Sequence, residues 1–285
     1  MKRVLLLFAT TLSLVVLTPA MALAAKASSA ANSKPAAGRT ENVGYDISYP
    51  QCGKKLPSGQ AFGIVGVNGG NAATSNPCLA AQLSWAKNSV GGTAQPKVQL
   101  YVNTANPGEV ISQITTWPTS NTDKSGFTTT NPYGNCAGAN DQACSWQYGW
   151  NRSVEDYVDR LLPVAKTAKV ADYTWWLDVE MMNTWQSGSS GALARNTAAL
   201  EGMTSYFKSK GATVGLYSTA VQWNTITGQT VGSGSNLNGL ANWRPSGASL
   251  DNAKANCSVA PLTTGGFISL TQYVQQNLDK NHSCI

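Results

Sequence analysis

The chain has 285 residues, a formal net charge of +6 at pH 7, six cysteines and a single histidine. Its basic residues are scattered, with no run and no patch interleaved with aromatic residues, so the composition does not favour a nucleic-acid-binding protein. Beyond the N-terminus no segment is apolar over the roughly 20 residues that a membrane span needs, and we expect no stable membrane insertion.

The N-terminus has the pattern of a secretory signal peptide. Lys2 and Arg3 precede a long apolar run, and the Ala22-Leu23-Ala24 pattern that follows suits signal peptidase. The next stretch is rich in Ala, Ser and Lys and has little to bury. We predict an extracellular protein with three segments, which are a signal peptide at 1–25, a flexible lead-in at 26–42 and a single folded domain at 43–285.

Within this domain, short apolar runs alternate with longer amphipathic segments. The short runs predict buried strands at 44–48, 63–68, 98–103, 174–180, 213–218, 238–243 and 267–274. The longer segments predict helices at 77–89, 154–168 and 192–210, with Asn76 and Ser153 as N-caps of the first two. The remaining segments are predicted to be rich in loops, with a long polar insertion at 104–148 and irregular stretches at 225–237 and 244–266.

The alternation of strands and helices favours parallel strands joined by crossover helices. We therefore predict an α/β fold, an irregular TIM-like (β/α) barrel. In such a barrel, long loops that follow the strands lie at one face and shape the cleft, which is the position we expect for the polar insertion.

The cysteines of an exported chain favour disulfides, although six cysteines allow many pairings and the spacing alone leaves them open. We favour three pairs, which are Cys136 with Cys144, Cys52 with Cys78, and Cys257 with Cys284. A metal site is a poorer explanation, because no Cys-x-x-Cys pattern occurs and His282 is the only histidine. We expect neither a metal nor a cofactor.

Asp178 and Glu180 are the most informative polar residues of the sequence. One residue separates them on a predicted apolar strand, so their side chains are expected to share a face. Burial among tryptophans and the charge of the neighbour would raise the pKa of one carboxyl, and hydrolysis of a glycosidic bond uses such a pair of carboxyls. The alternative is a pair at a strand end that contacts only solvent or an arginine, but apolar neighbours make this costly.

Two further carboxyls occupy suggestive positions. Asp46 ends the first predicted strand and Asp279 follows the last one. Because the first and last strands of a closed barrel are neighbours, both could approach the central pair. A cap or turn role for Asp46 and a surface turn for Asp279 are the alternatives.

These residues carry a resemblance to glycoside hydrolase family 25, the lysozyme-type muramidases. The segment Gly44-Tyr45-Asp46-Ile47-Ser48 is similar to the opening strand of that family, and Trp176-Leu177-Asp178-Val179-Glu180 is similar to its Asp-x-Glu strand. Val214-Gly215-Leu216-Tyr217-Ser218 resembles the later strand of the family that carries a Tyr. Three further segments resemble its closing strands, namely Leu240-Ala241-Asn242-Trp243, Thr271-Gln272-Tyr273 and the Asp279-x-Asn281 pattern.

The resemblance implies a barrel of five β/α units and three further strands that cleaves the β-1,4 bond of peptidoglycan between N-acetylmuramic acid and N-acetylglucosamine. It assigns Glu180 as the general acid, and Asp178 as the group that stabilises positive charge or orients a substrate acetamido group. The implied substrate-binding residues are Asp46, Asp279, Tyr217, Trp243 and Gln272. The implied partner is peptidoglycan or a related glycan, and a monomer is expected.

Some positions depart from the family pattern. The third strand reads Tyr101-Val102-Asn103 where an aromatic residue paired with His is frequent, and Thr271 replaces the usual Trp. These changes leave a non-catalytic carbohydrate- or wall-binding protein that retains the barrel as the alternative function. A chitinase-like strand would need further alternate acids where Thr174 and Trp176 stand, and no nucleophile elbow supports a serine hydrolase.

Overall fold

The computed structural model describes residues 42–228 and 231–285. The predicted signal peptide and all but the last residue of the predicted lead-in lie outside the described residues. No helix in the described part of the chain has both the length and the hydrophobicity needed to cross a bilayer.

The described residues contain a closed barrel in which each strand pairs with the next and β8 pairs back to β1. Strands β1 to β7 are parallel, whereas β8 is antiparallel to both of its neighbours. The strands are β1 (Gly44–Ile47), β2 (Gly63–Gly66), β3 (Val98–Asn103), β4 (Thr174–Asp178), β5 (Thr213–Tyr217), β6 (Ala241–Pro245), β7 (Phe267–Gln275) and β8 (Leu278–Ser283). The predicted irregular α/β barrel is therefore confirmed.

An α-helix follows each strand from β2 to β6, which gives the five β/α units that the resemblance implies, with β1, β7 and β8 as the three further strands. The helices are α1 (Leu79–Lys87), α2 (Gln142–Glu155), α3 (Ser190–Ser209), α4 (Ala220–Thr227) and α5 (Leu250–Asn256). Side-chain oxygens cap the N-termini of four of them by accepting from backbone N–H groups. The capping residues are Asp141, Ser189, Thr219 and Ser249.

The predicted start of the second helix is wrong, as the position of α2 shows. It begins at Gln142, inside the segment predicted as a polar insertion, and its last residue is followed by a π-helical turn at Asp156–Leu161. Ser153, the predicted N-cap, lies inside α2 and is fully buried. The pattern misled because polar side chains such as Ser145 and Gln147 are also fully buried here, so the helix has no clean apolar stripe.

The late part of the chain also differs from the prediction. Helices α4 and α5 overlap segments predicted to be loop-rich, and β8 was not predicted as a strand. The β8 sequence Leu-Asp-Lys-Asn-His-Ser has little strand propensity, but ladders on both sides hold it. Asp279, predicted to follow the last strand, lies within β8.

Large apolar side chains fill the barrel interior. Trp176 lies two residues before Asp178 and therefore points inward one layer below it, where it packs with a cluster that includes Phe62, Ile64 and Trp243. A Cβ on Gly215 would lie 2.2 Å from the Trp176 ring, so only glycine leaves room for this tryptophan. The packed layer blocks the barrel beneath the polar groups.

All three favoured disulfide pairs are present. Cys52–Cys78 joins the segment after β1 to the start of α1, and Cys136–Cys144 joins the polar insertion to the first turn of α2. Cys257–Cys284 joins the end of α5 to the residue after β8. Each bridge thus ties a loop or a terminus to a regular element.

Candidate active site

A pocket of about 210 Å³ lies at the carboxyl end of the parallel strands, above the packed interior. All seven residues predicted as catalytic or substrate-binding border it, together with Tyr101, which was not predicted as a site residue. The lining residues are Asp46, Tyr101, Asp178, Glu180, Tyr217, Trp243, Gln272 and Asp279.

The register of the barrel brings these residues together. Asp46 of β1 lies opposite Asp279 of the antiparallel β8, as the closed barrel predicted. On the other side, Asp178 ends β4 opposite Tyr217, which in turn lies opposite Trp243. Residues that are far apart in the sequence therefore form one ring at the strand ends.

Glu180 lies two residues beyond the end of β4, so the prediction that it shares the strand with Asp178 is wrong. Its backbone carbonyl accepts a hydrogen bond from the Trp185 indole at 2.9 Å. The Gln222 amide donates to its carboxylate at 3.5 Å, and the same Gln222 side chain accepts from the backbone N–H of Met181 at 2.8 Å. These contacts hold a half-buried carboxyl at the pocket without a strand to fix it.

Asp178 is the buried member of the pair, with 5% of its surface exposed. Burial raises its pKa well above the usual range, and the nearby Glu180 and Asp46 charges raise it further. Asn103 donates from Nδ2 to Asp178 Oδ2 at 2.8 Å, which favours the ionised form, but Oδ1 is buried without a hydrogen-bond partner. Asp178 therefore binds a proton far more readily than a carboxyl in water.

Asp46 is held from two sides. Gln272 donates to both of its carboxylate oxygens at 3.1 Å, and Asn281 donates to Oδ1 at 2.7 Å. Burial, followed by the charge of Asp279, raises the pKa of Asp46 to about 7. Burial likewise raises the pKa of Asp279. The pocket therefore retains protons close to neutral pH.

Two aromatic residues extend this hydrogen-bond network around the ring. The Tyr217 hydroxyl donates to Gln272 Oε1 at 2.7 Å, and the Trp243 indole donates to Asn281 Oδ1 at 2.7 Å. The orientation of both amides is therefore fixed, with their donor groups directed at Asp46.

A second buried hydrogen-bond network holds Asn103 in position. Its backbone N–H donates to Asn68 Oδ1 at 2.7 Å, and Asn68 Nδ2 donates to Asp156 Oδ1 at 2.8 Å. Arg160 donates to the same Asp156 oxygen at 2.8 Å, and burial still raises the pKa of Asp156 to about 6. A buried ion pair beside α2 is thus linked through two asparagines to Asp178.

Sequence reasoning did not identify Asn103, Asn281, Gln222 or Tyr101 as site residues. For Asn103 and Asn281 the available signal was the family resemblance. Asn103 lies in a segment that departs from the family pattern, and Asn281 lies in the closing Asp279-x-Asn281 pattern. The sequence contained no signal for Gln222, because a glutamine on a short helix is common. Within residues 42–228 and 231–285, no group of three or more His, Cys, Asp or Glu side chains is arranged to hold a metal ion.

The family model of Lysozyme-like protein 1 matches residues 146–254 of the chain. The matched residues include Asp178, Glu180, Tyr217 and Trp243, while Asp46 and Asp279 lie on either side of them. The match supports the predicted relation to lysozyme-type glycoside hydrolases.

Two solved structures are similar to this chain. The bacterial lysozyme from Streptomyces coelicolor has a TM-score of 0.49 and 12% identity, covering 86% of this chain and 93% of that one. The muramidase from Trichobolus zukalii has a TM-score of 0.45 and 13% identity, with coverage of 85% and 92%. No curated protein matches the chain.

Proposed function

We propose that the protein is a secreted glycoside hydrolase that cleaves peptidoglycan at the β-1,4 bond between N-acetylmuramic acid and N-acetylglucosamine. The observation that carries this proposal is the pairing of buried Asp178 with half-buried Glu180 in one pocket, where burial raises the pKa of Asp178. The family-model match supports a wall glycan as the substrate class.

The chemistry follows from one proton bound between two neighbouring carboxyls, because burial and the charge of Glu180 raise the pKa of Asp178. Glu180 is the more accessible member of this pair. Glu180 gives this proton to the glycosidic oxygen as the bond from carbon to oxygen breaks, which leaves both carboxyls ionised. This negative charge appears as the sugar carbon becomes positive, so the Asp178 carboxylate stabilises the oxocarbenium-like centre. A water molecule then adds to that carbon, and its released proton restores the pair.

The other pocket residues hold the sugar. Asp46 and Asp279 accept hydrogen bonds from sugar hydroxyl or amide groups. The aromatic rings of Tyr217 and Trp243 also border the pocket, and their ring centroids are 4.5 Å apart. Gln272 links Tyr217 to Asp46 and keeps both in position.

An extracellular location is part of the proposal. Disulfides persist in oxidising compartments, and this chain has three among its described residues. The N-terminal signal-peptide pattern supports the same location.

The decisive experiment replaces the proton donor. We expect Glu180→Gln to lower the release of new reducing ends from purified peptidoglycan by about 100-fold or more, since general acid catalysis contributes roughly 10²–10⁴-fold. Glu109→Gln, which changes an exposed glutamate outside the pocket, serves as the matched control and should retain the wild-type rate.

The same assay distinguishes a hydrolase from the alternative, a non-catalytic wall-binding protein. If the wild type and Glu180→Gln release equal background amounts of reducing ends while both bind peptidoglycan, the protein is a non-catalytic wall-binding protein and the hydrolase proposal is wrong.

A further inference from the structure

A second cavity lies outside the barrel pocket and shares no residue with it. Its volume is about 570 Å³, compared with about 210 Å³ for the candidate active site. Four segments form its walls: the polar insertion, α2, α3 and the loop at 232–236. A volume of this size lies within the range of ligand-binding sites.

Helix α3 supplies one long wall. Ala194, Thr197, Glu201 and Ser205 are three or four residues apart, so they lie along a single face of the helix. The stripe from Ala194 to Ser205 extends for about 16 Å at the rise of an α-helix. The cavity can therefore hold an elongated ligand.

Glu201 is the only charged residue among the described residues that line this cavity, and 8% of its surface is exposed. Its carboxylate accepts from the Tyr133 hydroxyl at 2.5 Å and from the Ser235 hydroxyl, both of them neutral donors. A carboxylate oxygen has two acceptor sites, so each oxygen retains capacity for one more donor.

The lining excludes several ligand classes. In the part of the chain that the structure describes, no lysine or arginine borders the cavity, so it is unsuited to an anion. A single carboxylate supplies too few oxygen ligands for Ca²⁺, which usually binds six to eight. The other polar groups are amides and hydroxyls, and one of them, Asn236 Oδ1, is buried without a hydrogen-bond partner, so a purely apolar ligand would leave it unpaired.

We propose that this cavity is a second glycan-binding site, which holds a neutral stretch of polysaccharide away from the barrel pocket. Sugar hydroxyl groups donate to Glu201 and exchange hydrogen bonds with the amides, while the apolar face of a sugar ring packs on Tyr133, which is 37% exposed. Binding here keeps the protein on a glycan whether or not the barrel pocket is occupied, and it does not depend on the proposed hydrolysis.

The test fills the cavity without removing a hydrogen bond. In the full chain that carries Glu180→Gln, we add Ala194→Trp, and the matched control is Ala81→Trp on the exposed face of α1. The probe is the tetrasaccharide of N-acetylglucosamine, titrated by calorimetry, with thermal unfolding to verify the fold. We expect the control to bind at the second site and Ala194→Trp to lose that binding event.

A gentler change covers the case in which the tryptophan disturbs folding. Glu201→Gln retains the shape of the side chain and should weaken the same event by about tenfold, as expected for a charge-assisted hydrogen bond. The proposal is overturned if the control does not bind the tetrasaccharide, or if binding is unchanged in Ala194→Trp and Glu201→Gln. Loss of reducing-end release alone concerns only the proposed hydrolysis.

Discussion

Asp46 illustrates how burial changes the chemistry of a single carboxyl. Its pKa is about 7 in the folded protein, compared with an ordinary value of 3.8. Between these two values the unfolded chain has already released the proton that the folded chain still binds. The contribution of Asp46 to stability therefore decreases as the pH rises through this window, and it is least favourable above pH 7.

We expect the stability of Asp46→Asn relative to the wild type to be about 1–3 kcal/mol greater at pH 8 than below pH 3.8, because an amide carries no charge to bury. The pH-dependent part of the difference should decline as the pH falls through this window and disappear below pH 3.8, where the carboxyl is protonated in the folded and the unfolded chain, while the changed hydrogen bonds to Gln272 and Asn281 contribute a constant offset. Chemical denaturation at several pH values measures it, with exposed Asp251→Asn as the control. A constant difference across the pH range would contradict a buried, proton-binding Asp46.

Asn103 contacts Asp178, and this contact was not predicted from the sequence. Its Nδ2 donates to the Asp178 carboxylate, so it favours ionisation against the effect of burial. We expect Asn103→Leu to shift the acidic limb of the activity profile upward by about one pH unit, the equivalent of one hydrogen bond.

The matched control for Asn103→Leu is Asn196→Leu, which removes a fully buried asparagine bonded to two backbone carbonyls outside the pocket. It should lower stability without moving the acidic limb. An unshifted limb in Asn103→Leu, measured as kcat/KM against pH, would show that the contact does not tune Asp178.

At the scale of elements, α2 and α3 cross at two glycines. A Cβ on Gly202 would lie 1.9 Å from the Trp146 carbonyl oxygen, and one on Gly149 would lie 1.9 Å from that of Ala199. Only the absence of side chains allows the two backbones to approach so closely. This contact positions the helix pair that also borders the second cavity.

We expect Gly202→Ala to destabilise the protein by about 1–3 kcal/mol or more, since backbone must move to accept the methyl group. Gly191→Ala, in the first turn of the same helix, meets only side-chain atoms, Arg195 Nη1 at 3.5 Å and Ser189 Oγ at 3.9 Å, and should stabilise the protein by at most about 0.5–1 kcal/mol. Urea midpoints compare the two. Equal effects would mean that the crossing is looser than described.

β8 shows the limit of local pattern at this scale. Its polar sequence gave no strand signal, yet it carries Asp279 and Asn281 and closes the barrel. β3, by contrast, was predicted at its observed bounds because its largely apolar run marks a mostly buried strand. Strand formation in β8 depends on two neighbours, which a window along the sequence does not contain.

At the scale of the whole molecule, the Cys257–Cys284 bridge secures the closure of the barrel, because Cys284 directly follows β8. Its partners are 27 residues apart in sequence, compared with 8 for Cys136–Cys144. Loop-closure entropy therefore predicts a greater loss from removing the former, about 3–4 kcal/mol against about 2–3 kcal/mol.

We expect Cys257→Ser with Cys284→Ser to lower the thermal midpoint more than Cys136→Ser with Cys144→Ser. Only the first pair should also reduce hydrolysis under conditions where the fold persists, because β8 carries Asp279 and Asn281. Comparable losses of stability and activity in both double variants would argue against this role of the bridge.

By itself the sequence determined the class of fold and predicted the four carboxyls as site residues, because buried strands and charged residues in apolar surroundings leave a local pattern, whereas the spacing of the cysteines left their pairing open. Only the tertiary structure decided how these groups interact. Glu180 lies beyond its strand on contacts from Gln222 and Trp185, and Asp46 meets Asn281 across the seam between the first and last strands. The second cavity likewise combines four separate segments. Such contacts depend on barrel register and helix packing, which join residues more than 200 positions apart, as Asp46 and Asn281 are by 235.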